Sequence, residues 1–207
     1  MDLESVLEAK QLEAATYLDS HVRIIAGAGS GKTRVITYRI AHLIDNIKIP
    51  PWEILAITFT NKAANEMKDR LYHILPDKAP GTLVCTIHSL CVRFLRQHIS
   101  VLGYPSAFTI IDEEDQKALL KQIYKDLEMD VKTFSVRGMI GFISQRKVHN
   151  ITFDKALHHA ASRPRESKQA QAYQAYETYL RDHHLLDFDD LLIKTVYILE
   201  NFPDVLS

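Results

Sequence analysis

Three glycines, a lysine and a threonine fall within eight residues, Ala26-Gly27-Ala28-Gly29-Ser30-Gly31-Lys32-Thr33. That spacing suits one chemistry in particular, the gripping of a phosphate chain. Glycines let successive backbone N–H groups curl around a phosphate, and a helix starting directly after the loop adds its partial positive charge. Lys32 is expected to reach the β- and γ-phosphates of a nucleoside triphosphate, with the Thr33 hydroxyl on Mg2+. These two are the candidate catalytic residues, and Thr33 is also the candidate metal ligand. Ala28, Gly29, Ser30, Gly31, Lys32 and Thr33 are the candidate nucleotide contacts. The full pattern G-x-x-x-x-G-K-[ST] asks for glycine at position 26, where this chain has Ala26. A Cβ there requires ordinary dihedrals at the loop entry.

Such a loop needs a strand before it and a helix after it. His21-Val22-Arg23-Ile24-Ile25-Ala26 has the apolar, β-branched make-up of a strand, and a helix is predicted over Lys32–Asp45. Ile54–Phe59 predicts a second buried strand. It leads through Asn61, as N-cap, into a helix with Ala64, Met67, Leu71 and Leu75 at helical spacing. Gly81–Thr86 predicts a third strand, and the helix His88–Leu102 after it is stopped by Gly103 and Pro105. Strands alternating with helices imply βαβ units and a parallel sheet covered on both faces.

From about Phe108 the pattern turns helical: Asp112–Glu128, Val136–Val148, Phe153–Ser162, Arg165–His184 and Leu191–Asn201, the last with Asp187, Asp189 and Asp190 at its positive end. The expected organisation is an α/β domain over residues 1–106, a helical insertion over 107–186, and a return to the first domain over 187–207.

Four blocks occur in order: Ala26–Thr33, Ile57-Thr58-Phe59-Thr60-Asn61-Lys62-Ala63-Ala64, Thr86-Ile87-His88-Ser89 and Asp187-Phe188-Asp189-Asp190-Leu191-Leu192. Together they resemble the UvrD/PcrA/Rep group of superfamily 1 DNA helicases. The resemblance implies a P-loop, RecA-like parallel sheet, the first motor domain and incomplete here, with an inserted all-helical subdomain. It implies ATP and Mg2+ as cofactors, single-stranded and duplex DNA as partners, and 3′-to-5′ translocation in DNA repair and replication. Gln11 stands where the group reads adenine, although Leu7-Glu8-Ala9-Lys10-Gln11 departs from the usual Leu-Asn-x-x-Gln. Arg34 matches the arginine that packs on the adenine, a use suited to a flat guanidinium. Phe59, Thr60, Asn61 and Lys62 correspond to a segment lying along single-stranded DNA, with the aromatic ring offered to a base. Thr86 and His88 correspond to a second DNA-contacting block, in which Ile87 replaces an aromatic residue. Arg93 and Arg96, on the helix that follows, either add positive charge or form an ordinary solvated face.

Some features invite over-reading. Phe108–Glu113 has the form of a strand ending in Asp-Glu, but Asp112 followed by acids is equally an N-cap. His158-His159 and His183-His184 point about 100° apart on a helix, which does not suit a shared metal. The group's own Asp-Glu box is expected just beyond Ser207, together with the second motor domain. The chain is therefore expected to be the N-terminal part of a longer helicase, binding nucleotide weakly and hydrolysing it negligibly by itself. A non-catalytic DNA-binding module that keeps a nucleotide loop is the second reading, and a small-molecule P-loop kinase the third. Nothing in small-molecule phosphorylation calls for the Thr-Phe-Thr-Asn-Lys-Ala-Ala block.

Composition is in keeping with these readings. Of 207 residues 46% are hydrophobic and 25% charged, with net charge −1 and pI near 6.8. DNA contact must then be a local track rather than a whole basic surface. Two cysteines without a CxxC pair, an acidic start at Met1–Ser5 and apolar runs too short for a bilayer set the expected location as the cytoplasm. Nothing in the chain points to particular protein partners.

Overall fold

A computed structural model describes residues 1–27 and 29–206. Ala28 lies outside the described residues. The chain is mostly helical and divides into two compact units, Met1–Ser89 and Leu90–Ser207.

In the first unit α1 (Ala9–Thr16) packs on α2 (Lys32–Asp45), and α2 on α3 (Asn61–Ile74). α3 in turn covers two parallel strands, β1 (Leu55–Thr58) and β2 (Leu83–Thr86). The sequence dictates this layering. Ile40, Ala41 and Ile44 of α2 and Ala64, Met67 and Leu71 of α3 recur at helical spacing, and they close with Ala56 and Val84 into one buried cluster. A smaller cluster of Leu3, Leu7, Ala15 and Val35 seats α1 and the N-terminal segment on α2. α1 is a helix that the apolar pattern did not announce. Eight residues with only Ala15 buried carry too weak a stripe.

Two expectations are corrected in this unit. Residues 21–26 form no strand: they pair with no strand among the described residues, and Ile25 is 84% exposed. A strand exists only through its ladder partners, so an apolar β-branched run alone does not make one. The small sheet is also covered on one face only, because Leu55 and Ile57, on the other side of β1 from Ala56, are each 49% exposed. A parallel strand apolar on both sides is built for a sheet with two covered faces.

In the second unit α4 (Ile87–His98) runs on into a 3₁₀ turn, Ile99–Leu102, and ends at Gly103 with φ of +79°. β3 (Thr109–Ile110) pairs in parallel with β4 (Leu185–Leu186). Between them in sequence lie α5 (Glu113–Asp126), α6 (Val136–Val148), α7 (Phe153–Ala160) and α8 (Pro164–Asp182), and α9 (Phe188–Asn201) follows β4. The four inserted helices share a core of Leu120, Ile123, Met139, Ile143, Ala156, Ala160, Tyr173 and Tyr176. A separate cluster, Cys91, Leu95, Phe108, Leu186, Leu191 and Ile198, joins α4, the strand pair and α9. Asp112 caps α5, accepting from Glu114 N and Asp115 N at 2.9 Å each, so the Asp-Glu pair there is helix chemistry. Arg96 is committed to the fold rather than to a solvated face: it donates to Ser106 O and Phe108 O and lies over the Phe108 ring at 3.9 Å.

Candidate nucleotide and nucleic-acid site

The loop 26–33 meets the N-terminus of α2, where unpaired backbone N–H groups and the helix dipole favour an anion. Gly29 and Gly31 have φ of +76° and +80°, a region that costs other residues roughly 1–3 kcal/mol. Gly31 is also the N-cap of α2, and a Cβ there would lie 3.1 Å from Gln11 Nε2. The glycines thus serve both the turn and the approach of α1.

That approach gives Gln11 a definite place. Its Nε2 donates to Ser30 O at 3.2 Å, while its Oε1 accepts from Glu8 N at 3.3 Å in a capping box on α1. Lys32 Nζ folds over the loop and donates to Ala26 O at 2.8 Å and Gly27 O at 2.6 Å. Ser30 Oγ closes the turn on Gly27 O at 2.8 Å. Thr33 is exposed on the first turn of α2, beside Lys32. Arg34 Nη2 donates to Val6 O at 2.6 Å, and the guanidinium lies 5.8 Å from the Tyr38 ring centroid. Arg34 therefore pins the N-terminal segment, a task the sequence did not reveal. Arg39, not singled out from sequence, donates to the carbonyls of Ala14, Ala15 and Tyr17 and so caps the C-terminal end of α1.

The second group of residues sits at the carboxyl ends of the strands, where open α/β sheets present ligand sites. The register sets Thr58 opposite Thr86, so Phe59 and Ile87 each follow the carboxyl end of one of the paired strands. Phe59 is 97% exposed, an unusual position for a large apolar ring. The local reason is the start of α3. Thr60 turns the chain as N-cap, its Oγ1 accepting from Ala63 N at 3.1 Å, while its carbonyl accepts from Thr58 Oγ1 at 3.0 Å. The cap is Thr60 rather than Asn61. Asn61 and Lys62 are exposed in the first turn of α3. Thr86 is buried, and its hydroxyl is shared with Ser89, accepting from Ser89 N at 3.2 Å. It holds the entry of α4. His88 is half-buried on that first turn.

The acids of the fourth block lie in the second unit. Asp187 and Asp190 cap α9 reciprocally, Asp190 N donating to Asp187 Oδ1 at 2.9 Å and Asp187 N to Asp190 Oδ2 at 3.3 Å. Both are buried around Lys147 of α6, whose Nζ is 2.8 Å from Asp187, 3.1 Å from Asp190 and 2.8 Å from Glu177 of α8. Burial pulls the Lys147 ammonium down, but the three carboxylates outweigh it and hold its pKa well above the usual lysine value. Burial likewise pushes Asp187 up, and the charge and hydrogen bond of Lys147 reverse that to a net lowering. The periodicity of α6 gave no sign of this, since Lys147 falls where a surface cation is equally at home.

Among the described residues no group of three or more His, Cys, Asp or Glu is placed to hold a metal, and no helix is long and apolar enough to cross a membrane. The profile of the UvrD/REP helicase N-terminal domain matches residues 7–207. The chain is 40% identical over 206 residues to the ATP-dependent DNA helicase PcrA of Leuconostoc citreum, with 99% of this chain covered. It is 42% identical over 201 residues to that of Staphylococcus epidermidis, with 97% covered. In both cases the match spans 27% of the relative's length. Loop, strand ends and sequence agree, and the chain belongs to the UvrD/REP helicase N-terminal domain family.

Proposed function

We propose that this chain is the nucleotide-binding and DNA-contacting N-terminal part of an ATP-dependent DNA helicase. The observation that carries the proposal is the loop 26–33 on the N-terminus of α2, with its left-handed glycines, its folded-over lysine and Gln11 against its backbone. Lys32 exchanges two loop carbonyls for the β- and γ-phosphates when nucleotide enters. Mg2+ fits this donor set if the Thr33 hydroxyl is the protein ligand and phosphate oxygens and water supply the rest, the sparse protein coordination Mg2+ commonly has. Gln11 and Arg34 flank the base; Arg34 must then release Val6 O, or serve by fixing the N-terminal segment.

Phe59 stacks on successive bases while Thr60, Asn61, Lys62 and His88 meet phosphate or sugar. Thr86, committed to Ser89, acts by setting the entry of α4. Residues 1–106 and 187–207 belong in this reading to a RecA-like motor domain, with 107–186 as its helical insertion. The edge of β1 not paired to β2 and the extended run 21–26 are then parts of a larger parallel sheet. Translocation runs 3′ to 5′, in repair and replication. Binding of a fluorescent ATP analogue with Mg2+ tests the nucleotide half. The reading expects measurable affinity that Lys32→Ala weakens, and unchanged affinity in that variant removes it.

A further inference from the structure

The buried node in the second unit has more negative charge than its cations offset. Three carboxylates, on Asp187, Asp190 and Glu177, face Lys147, and among the described residues the other ammonium beside them is Lys194, 3.7 Å from Asp190 Oδ1. An unbalanced charge is costly to bury, and the usual relief is for one site in the cluster to take up a proton. The hydrogen bonds identify which. Asp187 accepts from Lys147 at 2.8 Å, Tyr176 at 3.0 Å, Gln116 at 3.4 Å and Asp190 N at 2.9 Å. Asp190 lies near both lysines and accepts from Asp187 N. Glu177 has Lys147 at 2.8 Å from Oε1, an atom shut off from solvent although the side chain is 22% exposed, and no backbone N–H or hydroxyl among the described residues donates to that oxygen.

We propose that Glu177 is the proton-holding member of this node, and that loss of its proton loosens the join between α6, α8 and α9. The groups facing it are Lys147 on α6, Asp187 and Asp190 on α9, and Tyr173 and Tyr176 on its own helix. Gln116 on α5 reaches the node through Tyr176 and Asp187, and Tyr104 and Lys194 border it. Burial, chiefly, with the neighbouring aspartates raises the Glu177 pKa above the ordinary glutamate value, against the pull of Lys147. The sign follows from that direction. A carboxyl whose folded pKa is raised contributes stability below its unfolded pKa and loses it as pH rises through the folded one. Asp187, lowered, runs the other way and loses its contribution only as pH falls. The node therefore has a pH optimum, with Glu177 setting the alkaline side.

The test is thermal unfolding of the chain and of Glu177→Gln at a series of pH values rising from 4.5, the ordinary glutamate value above which a raised carboxyl titrates. The unaltered chain is expected to lose melting temperature relative to Glu177→Gln as pH rises through that range. The glutamine variant, lacking the charge, should be at least as stable at the alkaline end. Parallel profiles for the two proteins overturn the proposal. A carbon-13 NMR titration of the Glu177 carboxyl in the unaltered chain decides the matter even if the variant folds poorly. A midpoint above 4.5, the ordinary glutamate value, supports the proposal, and one at or below it refutes it.

Discussion

At Lys32 the ammonium is held by two carbonyls of its own loop, and in the proposed role a phosphate takes the place of those contacts. Hydrogen bonds to a charged group are worth roughly 1.5–3 kcal/mol each, and 1.4 kcal/mol is about tenfold in affinity. Lys32→Ala should therefore weaken binding of a nucleoside triphosphate by about 10- to 100-fold, read by calorimetric titration with Mg2+ present. Phe59 offers a complementary case. Its ring is fully exposed, and stacking on one base is worth roughly 1–3 kcal/mol. Phe59→Ala should lower affinity for a single-stranded oligonucleotide by about 5- to 150-fold and leave the melting temperature almost unchanged, since the ring contributes little to the core. Equal oligonucleotide affinity for both proteins would remove Phe59 from the DNA track. The loop before α2 and the exposed place of Phe59 at a strand end were legible in the sequence as positions, because residue types and order there follow local chemistry. The tasks of Arg34, Arg39 and Thr86 were not, since each bonds a backbone or hydroxyl partner that only the fold brings near.

Helices carry most of the architecture, and their ends follow capping rules closely enough to be tested one residue at a time. Asp112 accepts two backbone N–H groups and shares a capping box with Asp115. Asp112→Ala should cost about 0.5–2 kcal/mol, seen as a fall of roughly 2–4 °C per kcal/mol in thermal melts. If Asp112 instead served catalysis, nucleotide turnover would fall with no change in melting. Lys147 is the heavier case. Removing one partner of a buried ion cluster costs about 3–5 kcal/mol, so Lys147→Met should strongly destabilise the second unit. A melt unchanged by that substitution would show the cluster to be solvated. The spans of α2 and α6 agree with the helices expected over Lys32–Asp45 and Val136–Val148. The strand expected at residues 21–26 was not borne out, because pairing is a property of two segments and only one was in view. The helix α1 escaped for the opposite reason: it is held by Leu3, Leu7 and Val35 and by Arg39, all outside its own stripe.

Over the whole molecule, near-neutral charge fits the proposed DNA contact being local, at the strand ends of the first unit, where Lys62 and His88 accompany Phe59. Phosphate contacts release counterions, so affinity for single-stranded DNA should fall as salt rises. The slope on a logarithmic plot should be shallow, in keeping with a short track, and salt-independent binding would contradict it. The chain spans 27% of the length of the relatives it matches, so hydrolysis and translocation are activities to seek in a polypeptide of their length. The central claim is that the loop at Ala26–Thr33 and the strand ends at Phe59 and Ile87 form one coupled nucleotide and DNA site. The direct measurement is ATP hydrolysis by such a polypeptide, with and without single-stranded DNA, beside its Lys32→Ala form. The account predicts that DNA raises the rate severalfold and that the substitution abolishes hydrolysis in both conditions. Hydrolysis that DNA leaves unchanged, or that survives Lys32→Ala, would contradict it.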